Sequence, residues 1–301
     1  MRIAVTGATG FIGSALCEEL AGEHSVIALT RNPHKSRFKS SADVLKWNPQ
    51  RLDGWETCLD GIDAIVNLAG ANIASVKWDS QGKALILNSR TGSLKILLEA
   101  VKKLAVKPKV IVLASGIDYY PSAQEQQFFE DSQTGDGFLA EVCRQVESFA
   151  DEFAKLNIRP VIIRSGLVLD SSGGALPQMM MPIKFYIGGW WGSGKQWISW
   201  ISLADEVSAI KFLIENENLS GAFNLTSPQP LCNREFFQKL AVAMNKPCRL
   251  AIPAFVLKFM FGEMAKEVLL ASRRVYPKKL TDAGYMFKNA DLKNTLESLK
   301  L

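Results

Sequence analysis

The chain has 301 residues, 48% of them hydrophobic, enough for a large core in one domain or two unequal ones, and a formal net charge of +5. Basic residues are spread along it without forming a block, which argues against nucleic-acid binding and leans toward small anionic ligands. The longest apolar runs fall short of the ~18 residues that span a bilayer, and Met1-Arg2-Ile3-Ala4-Val5-Thr6 leads straight into a strand pattern, so neither a signal peptide nor a membrane partner is expected.

In chain order, Ile3-Ala4-Val5 predicts a buried strand, followed by the turn Gly7-Ala8-Thr9-Gly10-Phe11-Ile12-Gly13 and a helix over about 11–22. Ser25-Val26-Ile27-Ala28-Leu29 predicts a second strand, ending in Thr30-Arg31-Asn32 with Lys35 and Arg37 close behind. Ala64-Ile65-Val66-Asn67-Leu68 is a further strand closing on Ala69-Gly70; a helix over 80–104, strand Val110-Ile111-Val112-Leu113, a helical stretch over 137–155 and strand Val161-Ile162-Ile163-Arg164 follow. Apolar strands alternating with helices predict a right-handed, doubly wound parallel α/β sheet, a Rossmann-type domain over 1–170.

Beyond Gly166 the pattern changes. Met179-Met180-Met181 precedes a Gly/Trp-rich run, Gly188-Gly189-Trp190-Trp191-Gly192-Ser193-Gly194; Phe223-Asn224-Leu225-Thr226 reads as another strand, so that segments within about 195–228 return to the sheet. Asn233 reads as the cap of a helix reaching Met244, and 251–300 as mainly helical. Residues 171–301 form the expected smaller substrate-side subdomain, in which Met179–Gly194 is the expected mobile element and Trp190, Trp191, Trp197 and Trp200 either wall the substrate cleft or pack in the core.

Five scattered cysteines (Cys17, Cys58, Cys143, Cys232, Cys248) include no C-x-x-C pair, which argues against a disulfide framework or thiolate zinc site and fits a cytoplasmic or matrix-like reducing compartment. The two histidines, His24 and His34, have no candidate catalytic neighbour in sequence; histidine triads and zinc sites are disfavoured, and no metal is expected. Arg273-Arg274 with Lys278-Lys279 is the densest basic cluster; it reads as a solvated helix end, with contact to a phosphate as the alternative.

A G-x-x-G-x-x-G triplet directly after a strand and before a helix sets backbone N–H groups and a positive helix end against a diphosphate, where side chains would block approach. The plain tight turn is the alternative, and the position of the triplet at the head of the alternating units weighs against it. Where the second strand ends in an acid, the adenosine ribose hydroxyls of NAD are bound; here Arg31 and Asn32 stand there, and a guanidinium suits the extra phosphate of NADP(H). Leu68, Ala69 and Gly70 are small enough at their strand end for a cofactor to pass over.

Together these features resemble the extended and atypical short-chain dehydrogenase/reductases, relatives of the NAD-dependent epimerase/dehydratases, and more narrowly the "epimerase family" proteins of the YfcH type. The resemblance rests on Thr6–Gly13, Asn67–Gly70, Asn88-Ser89-Arg90, Ser115-Gly116-Ile117-Asp118-Tyr119-Tyr120, Arg164-Ser165-Gly166-Leu167-Val168-Leu169, Gly192–Trp197, Phe223–Pro228 and Pro277-Lys278-Lys279-Leu280 with Ala283-Gly284-Tyr285. It implies NADP(H) on the glycine turn, with contacts from Gly7, Thr9, Gly10, Phe11, Ile12 and Gly13, and the nicotinamide near Arg90, Ser115, Leu167 and Val168. A homodimer is left open. The family's Tyr-x-x-x-Lys pair is missing: the corresponding positions are Phe138/Val142 or Leu139/Cys143, and Arg90 replaces the usual helix Asn. Candidates for handling a developing oxyanion are therefore Ser115, Tyr119, Tyr120, Arg90 and the thiol of Cys143. The expected function is an atypical NADP(H)-dependent oxidoreductase or isomerase-like enzyme acting on a small polar carbonyl or sugar-like substrate; the alternative is a catalytically silent NADPH sensor or complex-forming protein.

Overall fold

A computed structural model describes residues 1–33, 38, 42–248, 250–299 and 301. The chain forms two compact units: Met1–Ser115 with Val142–Ile163 and Val207–Ala222, and Gly116–Glu141 with Arg164–Glu206 and Phe223–Leu301. Neither unit is a continuous stretch of sequence.

The main sheet has seven strands, β1 (Arg2–Thr6), β2 (Ser25–Thr30), β3 (Asp43–Lys46), β4 (Ala64–Asn67), β5 (Val110–Gly116), β6 (Arg159–Ser165) and β7 (Gly221–Leu225), in the order β7-β6-β5-β4-β1-β2-β3. This is the doubly wound order, with the switch point beside β1. Parallel pairing sets Val5 against both Ala28 and Val66, and Val66 against Val112. Ile3, Ala4 and Val5 are buried on both faces, as a central parallel strand requires. Strand β3 was not foreseen: it is an edge strand of mostly exposed residues, Asp43 and Lys46 among them, without an apolar run to betray it.

The helices are α1 (Phe11–Leu20), α2 (Ser80–Lys103), α3 (Phe138–Glu147), α4 (Phe149–Ala154), α5 (Leu176–Lys184), α6 (Leu203–Glu215), α7 (Asn233–Ala243), α8 (Ala254–Phe261), α9 (Lys278–Asp282) and α10 (Leu292–Ser298). Asp79 caps α2 by accepting from the Gly82 amide at 2.9 Å, and Lys102 and Lys103 face its negative end. The stretch expected as one helix over 137–155 breaks at Ser148, whose hydroxyl donates to the Gln145 carbonyl at 2.8 Å.

In the second unit, Phe236, Phe237 and Leu240 of α7 pack with Met179, Met180, Leu292 and Leu296. Two expectations are corrected there, on Asn233 and on the 251–300 stretch, and one alternative is decided, on Trp200. Asn233 is the first residue of α7, not its cap; its side-chain oxygen accepts from the Trp191 amide at 2.8 Å. Trp200 is a core residue: fully buried, it donates to the Gln229 carbonyl at 3.0 Å. The 251–300 stretch is mixed, its helices interrupted by a π-turn at Ala265–Leu269 and a short strand at Arg274–Val275. No helix among the described residues is long and apolar enough to cross a membrane.

Candidate functional site

The carboxyl edge of β1 and β4 is built for backbone approach. Gly7 has φ +67°, and a Cβ there would sit 2.6 Å from the Leu68 carbonyl oxygen; a Cβ on Gly13 would sit 2.3 Å from the Gly7 oxygen. The Gly10 amide closes the turn on the Gly7 oxygen at 2.9 Å. Helix α1 then starts at Phe11 with no side chain capping it, so its first amides present a positive, unsaturated end beside the glycine cradle. A diphosphate fits such a cradle on the chemistry of its donors.

Buried polar contacts hold this edge level. Thr6 donates to the Asn67 side-chain oxygen at 2.6 Å, and the Asn67 amide reaches Ser93 of α2 at 3.3 Å, joining β1, β4 and α2. Thr9 shares a 3.3 Å hydrogen bond with Thr30, whose hydroxyl also accepts from the Asn32 amide. The glycine turn is thereby tied to the end of β2, from which Arg31 and Asn32 project as exposed residues. His34, Lys35 and Arg37 lie outside the described residues.

After β4 the chain runs through Leu68, Ala69 and Gly70 under the Arg90 side chain: a Cβ on Gly70 would lie 3.1 Å from the guanidinium carbon. Arg90 donates to the carbonyls of Ala71 and Ile86 at 3.1 and 3.0 Å, while the Ser89 hydroxyl accepts from the Ala71 amide. Arg90 thus clamps the loop following β4 as well as facing its glycine.

At the end of β5, Ser115 donates to the Glu147 carboxylate at 2.8 Å. Glu147 escaped the sequence reading. It ends α3, and the spacing of Leu139, Cys143 and Glu147 puts all three on one helix face, the face that carries the usual catalytic pair in one of the two registers. That spacing is the signal that could have found it. Cys143 itself is buried.

The remaining candidates belong to the second unit. Tyr120 is fully buried, stacked on Phe128 with centroids 5.3 Å apart; its hydroxyl donates to Asn224 at 2.7 Å and accepts from Arg164 at 2.8 Å. Burial pushes that hydroxyl up to about 12. The catalytic role expected of Tyr120 is corrected accordingly: its hydroxyl is already engaged inside the core and holds its proton. Tyr119 is half-buried, with the Arg164 guanidinium 3.5 Å from its ring centroid. Leu167 and Val168 start a strand paired with Trp200–Ser202.

Glu206 is also buried in this unit, accepting from Ser165 at 2.6 Å, with its second carboxyl oxygen unpaired; burial raises it to about 8, so it is largely protonated at neutrality. In the first unit, folding brings to His24 a partner that sequence proximity did not reveal: its ring Nε2 lies 2.8 Å from Glu215, with Glu23 close by and held by Lys211 at 2.6 Å.

Comparison with known proteins gives a consistent result. The NAD dependent epimerase/dehydratase family profile matches residues 3–163, and a domain of unknown function, DUF1731, matches 252–299. An epimerase family protein of Staphylococcus aureus (strain MRSA252) is 39% identical over 298 residues, covering 98% of this chain and 97% of the relative. One from Mycobacterium bovis is 36% identical over 286 residues, covering 95% and 93%. The crystal structure of human epimerase family protein SDR39U1 (isoform 2) with NADPH superposes with a TM-score of 0.89 at 31% identity, covering 100% of this chain and 99% of that one. Thermus thermophilus UDP-glucose 4-epimerase in complex with NAD shares the fold at 18% identity, with a TM-score of 0.80 and coverage of 100% and 98%.

Proposed function

Because the chain belongs to the NAD-dependent epimerase/dehydratase family, we propose that it is an NADP(H)-dependent oxidoreductase or isomerase-like enzyme of atypical mechanism, acting on a small polar carbonyl or sugar-like substrate. The observation that carries this reading is the 2.8 Å bond from Ser115 to Glu147. It supplies a proton-handling pair at the carboxyl end of β5, on the same sheet as the glycine cradle.

In this reading the amides of Phe11, Ile12 and Gly13 hold the diphosphate and Arg31 the adenosine phosphate, with Arg90 and Ser115 toward the nicotinamide end. Preference for NADP(H) is supported by the basic end of β2, where NAD sites carry an acid, and by the NADPH in the human relative's structure. The bound dinucleotide supplies or takes up a hydride. Ser115 directs its own proton to Glu147 Oε1, leaving its oxygen lone pairs to accept from a substrate hydroxyl. As that hydroxyl is oxidised its proton passes to Ser115 Oγ, and the proton of Ser115 passes to Glu147; carbonyl reduction runs the same transfers backward. The pair stands in for the absent Tyr-x-x-x-Lys. A cytoplasmic or matrix-like reducing compartment accords with five cysteines, none of them in a disulfide among the described residues.

The second reading, a silent NADPH sensor, is favoured by the apolar residues at Phe138/Val142 and Leu139/Cys143. Turnover separates the two. NADPH-loaded protein mixed with a panel of aldehydes, ketones and quinones is expected to consume reduced nicotinamide with at least one class, and Ser115→Ala to stop it while NADPH still binds. Silence across the panel selects the sensor.

A further inference from the structure

Helix α8 is apolar on both faces. Leu257 is buried against its own unit, while Phe255 and Phe259, one turn apart on the opposite face, are 73% and 90% exposed. A helix of this kind needs cover on its outer side. Further apolar residues are exposed on the segments joined to it. Two residues before α8, the strand Leu250–Ile252 pairs in parallel with Gly189–Trp191, and this pairing sets Leu250 against Gly189. The chain entering that strand carries Phe185 and Ile187, both exposed, and Leu250 and Met260 are exposed as well. Apolar residues exposed singly are ordinary; this number on linked segments marks an interaction surface.

Charge identifies the occupant. No Asp or Glu occurs between residues 171 and 204 or between 236 and 262, the two stretches that build this surface. Lys184 and Lys258 are exposed within it, and the Lys246 ammonium lies 4.0 Å from the Tyr186 ring centroid, its chain laid along the aromatic loop. An apolar helix face with lysines at its margin, and no acid before the exposed Glu263 just past the helix end, suits the interface of an anionic bilayer. A second copy of the same surface would bring like charges together.

We infer that α8, with the adjoining Phe185–Ile187 loop and Leu250, docks this protein on the surface of anionic lipid membranes. The aromatic side chains enter the acyl boundary and the lysines meet the headgroups. The expectation of no membrane partner rested on the lack of a spanning segment, and a helix lying in the interface needs none.

The test is co-sedimentation of the full chain with vesicles of phosphatidylglycerol and phosphatidylcholine, or of phosphatidylcholine alone. At low salt the protein is expected to pellet with the anionic vesicles at least ten-fold more than with the neutral ones, and to be released by 0.5 M salt. Phe255→Ser/Phe259→Ser should abolish pelleting while NADPH fluorescence titration and the thermal unfolding midpoint of the whole chain stay unchanged, the second reporting that the unit carrying α8 is intact. Failure of the native protein to pellet with anionic vesicles overturns the inference. So does a dimer in sedimentation equilibrium that the double variant converts to monomer, which would assign the surface to a second copy.

Discussion

The glycine turn at Gly7–Gly13 and the helix α3 face at Leu139, Cys143 and Glu147 are candidate regions of one family fold under different constraints. The turn works through backbone: Gly7 and Gly13 are set by carbonyl oxygens 2.6 and 2.3 Å from where a Cβ would be, so nothing else fits. The α3 face works through side chains, and any residue of tolerable size can occupy it. The first region therefore keeps its family sequence while the second departs from it, lacking the phenol and ammonium whose work we propose for the Ser115–Glu147 pair.

The largest effect is expected where the backbone rules. Gly13→Ala should abolish NADPH binding and destabilise the fold by roughly 3–5 kcal/mol, since neither the turn nor α1 can move aside; calorimetric titration and denaturant melts check both. On the α3 face, Glu147→Gln should lower kcat by about 10²–10⁴ with NADPH affinity unchanged. An unaltered kcat would detach Glu147 from the chemistry and return the face to packing.

Tyr120→Phe sharpens the contrast from the other side. Loss of a buried hydroxyl that bridges Asn224 and Arg164 should cost about 1–3 kcal/mol of stability and leave kcat intact. A collapse of kcat without loss of stability would restore Tyr120 as an acid. An effect visible only as a pH slope concerns Glu206, whose carboxyl is raised on folding from 4.5 to about 8. The folded chain then holds a proton that the unfolded chain releases. Its contribution is complete below about pH 4.5 and is lost as pH rises to about 8, at a slope of up to about 1.4 kcal/mol per pH unit. Glu206→Gln should flatten that slope in melts recorded between pH 5 and 8.

The strand–helix alternation and the glycine turn were legible because buried parallel strands and uncapped helix starts leave marks in local sequence. Edge strand β3 left none, being short and exposed. The partnership of Ser115 and Glu147 joins positions 32 residues apart, and only folding brings them together. Tyr120 was misread for the same reason: its sequence neighbours place it beside Ser115, but Asn224 and Arg164 come from distant strands to claim its hydroxyl. Asn233 looked like a cap because caps favour its side chain, and the Trp191 amide took that oxygen instead.

The central claim is that amides at the start of α1 hold a diphosphate while Arg31 selects the phosphorylated adenosine. Titration of the native protein and of Arg31→Asp with NADPH and NADH tests it directly. The native protein is expected to bind NADPH at least ten-fold more tightly than NADH, and the variant to lose that preference while still binding NADH. Equal native affinities, or no binding of either nucleotide, would contradict it.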